Sequence, residues 1–219
     1  MQVAYLLYDR FTALDVTGPH EVLNSVPGVE SIFVAETAGP LRNESDTLSL
    51  VADASLSDVP SPDILVVPGG YGTRALLDHE PLLDWLRSAH ETSQWTTSVC
   101  TGTLILAAAG LLDGKEATTH FLARELLGGL GACPVEDRVV ELEADRIMTA
   151  AGVSSGIDMS LHLVQRVYGT EVAQAVQLGI EYDPAPPVDA GSPDKAPPEI
   201  VEVVTAVFRA QDAQQPAAS

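Results

Sequence analysis

Residues 96–110, TTSVCTGTLILAAAG, contain the feature that decides the fold. The β-branched run at 96–99 predicts a buried strand, and the apolar run at 101–109, which stops at Gly110, predicts a buried helix. Cys100 lies between them with almost no loop. A strand that turns into a helix this abruptly holds the turning residue in a sparsely allowed backbone conformation, as in the nucleophile elbow of hydrolases. The pattern therefore predicts an α/β fold with Cys100 at an elbow.

The residues around Cys100 fit an elbow, since Ser98, Thr101 and Gly102 are small enough for a tight turn. The first free N–H groups of the following helix favour a thiolate and predict a lowered pKa for the Cys100 thiol. The alternative is an inert, buried cysteine that packs as a small hydrophobic residue. For Cys133, which lies in the segment GACP between a helix and a strand, the inert cysteine is the prediction.

The chain before the elbow alternates short β-branched runs with longer amphipathic ones, which is typical of βα units and a mostly parallel sheet. Pro19 is expected in the first turn of a helix, where its missing N–H costs nothing. The predicted strands are 3–8, 31–35, 63–67 and 96–99, the predicted helices are 18–24 and 76–90, and a short β excursion is predicted over 42–53.

The chain after the elbow continues the same alternation. Six prolines in 182–198 predict an ordered surface loop or a linker. Since no repeat and no second core is visible, we expect a single domain over 1–219 with a frayed tail over 211–219. The predicted helices are 121–127, 156–168, 171–179 and 199–210, and the predicted strands are 135–142 and 146–149.

Charge limits the possible partners. The 219 residues include 31 Asp and Glu against 11 Lys and Arg, a formal net charge of −20. A surface this acidic repels nucleic acid and anionic lipid, so neither is expected as a partner. An ordinary acidic enzyme and a protein adapted to a salty cytoplasm, where charge repulsion is screened, both fit this composition.

The expected location is the cytoplasm. The longest strongly apolar run, 104–112, has nine residues, whereas a membrane-spanning helix needs about 20. The N-terminus, MQVAYLLYDRF, lacks the basic start of a secretory signal. A cytoplasmic chain with two cysteines predicts no structural disulfide, and so few ligands predict no zinc site.

Asp15 is the first candidate partner for the sulfur. Ligands of an open parallel sheet bind outside the carboxyl ends of its strands, and Asp15 follows the first strand in the apolar stretch ALDV. A helix N-cap is the simpler role, but Thr17 is better placed for it. A carboxyl group in apolar surroundings near a thiolate would have a raised pKa and could donate a proton near neutral pH. Spacing alone does not show that Asp15 and Cys100 meet.

Two further positions are candidates for a pocket around the sulfur. Gly70 and Tyr71 follow the third strand, and their backbone N–H groups could face a developing anion beside Cys100. The simpler alternative is a turn that needs the positive φ of glycine. His120, in ATTHF, is expected to line the pocket or to be structural rather than to act as a catalytic base.

Four segments together resemble the ThiJ/PfpI superfamily, over almost the whole chain. Within that superfamily the likeness is greatest to the isocyanide hydratases, in which Asp rather than Glu follows the first strand. The segments are LDVTGPHEVL at 14–23, PGGYG at 68–72, SVCTGTLILAAAGLLDGKEATTHF at 98–121 and SSGIDMSLHLV at 154–164.

The resemblance implies a flavodoxin-like α/β three-layer sandwich that forms a homodimer. It implies that Cys100 is the nucleophile, that Asp15 is its acidic partner, and that Thr101 positions the reacting groups. For an isocyanide hydratase it also implies that the small-molecule substrate is converted to an N-substituted formamide through a cysteine thioimidate. No metal or organic cofactor is implied.

Other functions remain open at this point. The same thiolate could add to an aldehyde such as methylglyoxal in a glyoxalase or deglycase, although those relatives usually have Glu at the position of Asp15. A peptidase or amidase is less favoured because Thr101, not His, follows the sulfur. A redox sensor would instead use oxidation of Cys100 to a sulfinate as its signal. A transcriptional regulator would need an additional helix-turn-helix domain, for which we expect no room.

Overall fold

The computed structural model describes residues 1–213, and side chains as far as residue 211. The chain divides into two compact units, Met1–Glu181 and a second that starts at Tyr182. The strands of the first unit are β1 Gln2–Leu6, β2 Glu30–Ala35, β3 Gly39–Arg42, β4 Ser49–Ala52, β5 Ala54–Ser55, β6 Ile64–Val67, β7 Trp95–Val99, β8 Glu116–Ala117, β9 Cys133–Pro134, β10 Val139–Leu142 and β11 Ile147–Ala150.

The first unit contains six α-helices and four short 3₁₀ turns within its described residues. The helices are α1 Ala13–Asn24, α2 Glu80–Thr92, α3 Gly102–Ala108, α4 Arg124–Gly129, α5 Ser155–Tyr168 and α6 Thr170–Gly179. The 3₁₀ turns are Leu56–Asp58, Tyr71–Leu76, Phe121–Ala123 and Glu143–Asp145.

A seven-stranded sheet in the order β10-β11-β7-β6-β1-β2-β5 forms the centre of this unit. Every neighbouring pair is parallel except β10 with β11, which is antiparallel. Strands β1, β6, β7 and β11 are almost wholly buried, as expected for parallel strands covered on both faces. The predicted mostly parallel sheet is confirmed.

The helices cover both faces of the sheet. The β1–α1–β2 crossover and the β6–α2–β7 crossover run in opposite directions along the strand order, so right-handed connections place α1 and α2 on opposite faces. Helix α5 packs against α1 and α6, whereas α3 packs against α2 and α4. The result is the flavodoxin-like three-layer α/β architecture that the resemblance implies.

The topology sets the position of the candidate site. The carboxyl ends of β1, β6 and β7 lie side by side, since these three strands are neighbours in register. The segments that follow them are the approach to α1, the 68–72 turn and the elbow at Cys100. Three segments that are far apart in the chain therefore meet at one edge of the sheet.

Helix α1 differs from its prediction at its start. It begins at Ala13 rather than at residue 18, with Thr12 in the N-cap position. The Thr17 hydroxyl donates to the Ala13 carbonyl oxygen at 3.0 Å from inside the helix, so Thr17 does not cap it. Pro19 lies in the helix interior instead of the first turn. The earlier start places Asp15 in the first turn.

Other boundaries differ by smaller amounts. The predicted helix over 76–90 is divided, because a 3₁₀ turn ends at Leu76 and α2 begins at Glu80. The predicted strand over 135–142 is shorter at its start, because β9 ends at Pro134 and β10 begins at Val139. The predicted β excursion is confirmed as an antiparallel hairpin of β3 and β4.

The second unit contains helix α7, Pro198–Ala213, preceded by irregular turns. The helix extends beyond the predicted end at residue 210, and the rest of the predicted frayed tail lies outside the described residues. Ile200, Val203 and Val207 are exposed at helical spacing along α7. Single-domain folding over 1–219 stays a prediction. In the part of the chain that the structure describes, no helix is both long and apolar enough to cross a bilayer.

Candidate active site

Cys100 occupies the bend between β7 and α3 with a φ of 57°, in the left-handed region. Its backbone N–H donates to the carbonyl oxygens of Ala150 and Ala151 at 3.1 and 2.9 Å, and its own carbonyl oxygen accepts from the Thr119 hydroxyl at 2.8 Å. An L-residue in this region costs about 1–2 kcal/mol, so these bonds stabilise a strained conformation. The structure places Cys100 at the expected elbow, with its side chain buried.

Asp15 lies beneath the surface beside this sulfur. Its carboxyl Oδ2 accepts from the Gly69 N–H at 2.9 Å, and the Cys100 thiol hydrogen-bonds the same carboxyl group. Among the described residues, Oδ1 has no well-aligned hydrogen-bond partner although it is buried. Buried polar atoms are normally bonded, so this spare oxygen requires an explanation. The structure brings Asp15 and Cys100 together, which spacing alone could not show.

Burial raises the pKa of the Asp15 carboxyl well above its usual range. The Gly69 and Cys100 hydrogen bonds oppose this rise, and the negative charge of Glu44 adds to it. A buried carboxyl of this kind retains its proton toward neutral pH. The environment is therefore that of a proton donor, as the apolar sequence around Asp15 suggests.

Burial also raises the pKa of the Cys100 thiol, and Asp15 raises it further when its carboxyl group is ionised. The Thr101 backbone N–H and hydroxyl oppose the rise by hydrogen bonding. The expected lowering of this pKa by the helix N-terminus is wrong, because α3 has only seven residues and burial outweighs its field. Burial and the neighbouring acidic groups therefore favour the protonated form of the Cys100 side chain.

The Thr101 side chain joins the elbow to the turn after β6. Its Oγ1 accepts from the Gly70 N–H at 2.9 Å and lies 3.2 Å from the Thr73 hydroxyl. The approach is close, since a Cβ on Gly69 would lie 2.5 Å from the Thr101 nitrogen. Thr101 therefore stabilises the turn that presents the Gly69 N–H to Asp15.

The expected anion pocket at Gly70 and Tyr71 does not fit the observed bonding. The Gly70 N–H is donated to Thr101, and the Tyr71 backbone bonds the carboxyl of Glu44. Neither N–H group is free to stabilise an anion at the sulfur. Gly70 has a φ of 135°, which corresponds to the simpler alternative of a turn that requires glycine.

His120 is buried near the elbow, and its environment favours the neutral imidazole. Burial lowers the pKa of His120 to about 4, and the nearby charge of Arg124 lowers it in the same direction. Its Nδ1 accepts from the Leu122 N–H at 3.4 Å, and its ring lies 4.7 Å from the Phe121 ring. A neutral imidazole cannot stabilise a thiolate by charge. This environment fits the pocket or structural role better than that of a base.

Sequence reasoning missed two groups at this edge of the sheet. Glu44, in the loop between β3 and β4, accepts from the Thr12 hydroxyl at 3.0 Å. Tyr8 is buried, and its hydroxyl donates to the Pro68 carbonyl oxygen at 2.7 Å. Glu44 stands in the polar segment RNESD, so no local pattern distinguishes it from an exposed loop residue. Its long-range contacts, such as the one with Thr12, show its place.

The second thiol lies in a different environment. Cys133 is exposed in the short strand β9, so the prediction that it packs as a buried hydrophobic residue is wrong. Within residues 1–213, no group of three or more His, Cys, Asp or Glu side chains could hold a metal ion.

Comparison with known proteins gives the family. The model of the DJ-1/PfpI family matches residues 1–166. The chain belongs to the DJ-1/PfpI family. The resemblance to the ThiJ/PfpI superfamily is therefore confirmed, and the elbow, Asp15 and the 68–72 turn all lie inside the matched region.

Three relatives show how far the likeness to DJ-1/PfpI proteins extends. An isonitrile hydratase of Pseudomonas putida is 45% identical over 202 residues, which cover 92% of this chain and 87% of that protein. The crystal structure of a ThiJ/PfpI family protein from Pseudomonas syringae matches with a TM-score of 0.91 at 34% identity, over 97% of this chain and 87% of the other. Drosophila melanogaster DJ-1beta, with a TM-score of 0.74 at 22% identity over 82% of this chain and 97% of the other, shares the fold.

Proposed function

We propose that this protein hydrates isocyanides to N-substituted formamides, with Cys100 as nucleophile. The observation that carries the proposal is the 45% identity to an isonitrile hydratase over 92% of the chain. The contact between the Cys100 thiol and the buried Asp15 carboxyl supports it, because the reaction needs a nucleophile and a proton donor at one carbon atom.

The first step joins the sulfur to the terminal carbon of the isocyanide. Attack by sulfur places negative charge on that carbon, and a proton from the Asp15–Cys100 pair neutralises it. The sum is addition of S–H across the carbon, which gives the thioimidate R–N=CH–S–Cys100. Asp15 is suited to deliver the proton because burial raises its pKa and because its Oδ1 is not well bonded by the described residues.

The second step is hydrolysis of the thioimidate. Water adds to the same carbon with one proton going to nitrogen, and this gives R–NH–CH(OH)–S–Cys100. Collapse of this intermediate releases R–NH–CHO and returns the thiol. Asp15 can take the proton from water and pass it on, while Thr101 holds the 68–72 turn in place.

The occupied N–H groups at Gly70 and Tyr71 favour isocyanide over aldehyde chemistry. Addition of sulfur to an aldehyde such as methylglyoxal develops charge on oxygen, which free N–H donors stabilise. Addition to an isocyanide develops charge on carbon and requires a proton donor instead. The two N–H groups bond Thr101 and Glu44, whereas a buried carboxyl group with a raised pKa lies at the sulfur.

We propose further that the protein is a homodimer with a small-molecule substrate and needs no cofactor. Cytoplasmic location and adaptation to salt stay predictions from composition.

The test follows product formation from an aryl isocyanide by liquid chromatography and mass spectrometry. Wild type and Cys133→Ser should both yield the N-aryl formamide, and Cys100→Ser should yield none above the uncatalysed rate. If the protein formed lactate from methylglyoxal and no formamide from isocyanides, glyoxalase activity would replace the proposed function.

A further inference from the structure

Glu44 is a partly buried carboxylic acid with no role in the reaction as derived above. Its backbone N–H donates to the Phe11 carbonyl oxygen at 2.9 Å, which holds the loop after β3 against the approach to α1. Its side chain points inward, where Oε2 accepts from the Thr12 hydroxyl at 3.0 Å and the carboxyl also bonds the Tyr71 backbone. An acidic side chain half withdrawn from water needs such partners to remain charged.

The partners of Glu44 belong to the segments that form the site. Thr12 is the N-cap position of α1, and its N–H donates to the Gly69 carbonyl oxygen at 2.8 Å. Tyr71 follows Gly70, whose N–H bonds the hydroxyl of Thr101. One carboxyl group therefore connects the helix that bears Asp15 with the turn that bonds the elbow.

The charge of Glu44 also reaches the reacting pair. The ionisable groups that interact with it through their charges are Arg10, whose positive charge favours the ionised form, and Tyr8, Asp15 and Cys100. Burial raises the pKa of Glu44, and its hydrogen bonds and Arg10 oppose that rise. An ionised Glu44 raises the pKa of both Asp15 and Cys100, because a like charge disfavours their ionisation.

We propose that Glu44 is a positioning residue that ties the start of α1 to the 68–72 turn and whose negative charge keeps a proton on the Asp15–Cys100 pair. The proton is then available when the substrate arrives. Its use in isocyanide hydration rests on the proposed function, whereas the effect on Cys100 can be measured without any isocyanide.

The test measures the rate of Cys100 alkylation by iodoacetamide against pH in a Cys133→Ser background, by intact mass. Glu44→Gln removes the charge and keeps the shape, so the profile should move to lower pH, with alkylation at pH 7 faster by roughly three- to tenfold. Thr12→Val removes one hydrogen bond and keeps the charge, so its profile should move less. Glu21→Gln, on the exposed side of α1, is the matched control and should not move it.

A folded Glu44→Gln protein with an unmoved profile, or one moved to higher pH, would overturn the proposal. Glu44→Asp keeps the charge and should alkylate with the wild-type profile even where its turnover is lower, and a displaced profile there would also contradict it. When the rate of isocyanide turnover is plotted against pH, the fall in rate at high pH should occur at lower pH for Glu44→Gln than for wild type. Loss of turnover in every protein, wild type included, would contradict the proposed function while the alkylation result still judges the role of Glu44.

Discussion

The two cysteines of this chain lie in opposite environments. Cys100 is buried in a strained bend, with a carboxyl group at its sulfur and three chain segments around it. Cys133 is exposed as the first residue of the two-residue strand β9, and its backbone N–H donates to the Lys115 carbonyl oxygen at 2.7 Å. The fold therefore stabilises a strained backbone and a buried carboxyl group around Cys100, and no comparable feature surrounds Cys133 among the described residues.

The difference teaches that exposure and chemical function are separate properties here. A bulky reagent in solution meets Cys133 first, since that side chain is exposed. The surroundings of Cys100 instead combine backbone strain, an incompletely bonded carboxyl oxygen of Asp15 and raised pKa values, which natural structures retain chiefly at functional sites.

The largest expected effect is on catalysis, and it comes from removing the Asp15 carboxyl group. This group lies beside Cys100 and has no counterpart beside Cys133. Asp15→Asn keeps the size of the side chain but cannot donate a proton, so kcat/KM for isocyanide hydration should fall by about 10²- to 10⁴-fold. The matched change near Cys133 is Glu136→Gln, which breaks a surface ion pair with Arg124 and should leave the rate within about twofold. Rates are measured as formamide released under saturating and limiting substrate. A loss below about tenfold in Asp15→Asn would mean that another group donates the proton.

The elbow could be predicted because strand, cysteine and helix are contiguous, and their residue types alone require an abrupt turn. The same holds for the β excursion predicted over 42–53, whose alternation is local and which contains strand β4. The start of α1 could not be predicted in this way. Its N-cap residue, Thr12, is held by Gly69 and Glu44, which are distant in sequence.

The direction of the Cys100 pKa shift could not be predicted either, because it also depends on residues that are distant in sequence. The local sequence suggests a helix N-terminus that favours a thiolate, but the larger influences are burial under the assembled fold and the charge of Asp15. The expectation that the Gly70 and Tyr71 N–H groups are free to bind an anion does not fit the structure, because Thr101 and Glu44 accept from those groups through tertiary contacts. Contacts within one turn of chain could be read from the sequence, whereas contacts between segments could not.

The second prediction compares a glycine beside each cysteine. A Cβ on Gly102, in α3, would overlap the Val67 carbonyl oxygen, whereas a Cβ on Gly128, in α4, would meet the Cγ of Pro134 at 3.5 Å in ordinary contact. Gly102→Ala should therefore cost about 3 kcal/mol of unfolding free energy, and Gly128→Ala should gain up to about 1 kcal/mol from helix propensity. Urea unfolding measures both. Equal effects in the two variants would show that the elbow is no more tightly constrained than the segment at Cys133.

The smallest expected effect is on thermal stability and comes from the buried Asp15 carboxyl group. Because the pKa of Asp15 is raised in the folded state, the folded chain binds a proton there more tightly than the unfolded chain does. The stability due to that proton is fully present below the ordinary carboxyl pKa and is lost as pH rises through the raised one. Asp15→Asn does not ionise, so its Tm should exceed that of wild type by about 2–4 °C at pH 8 and match it near pH 3. Glu136→Gln, which changes an exposed carboxyl group near Cys133, should have the same Tm as wild type at both pH values. An Asp15→Asn protein that melts below wild type at pH 8 would show that the buried carboxylate stabilises the fold, and that its place beside Cys100 needs no explanation from catalysis.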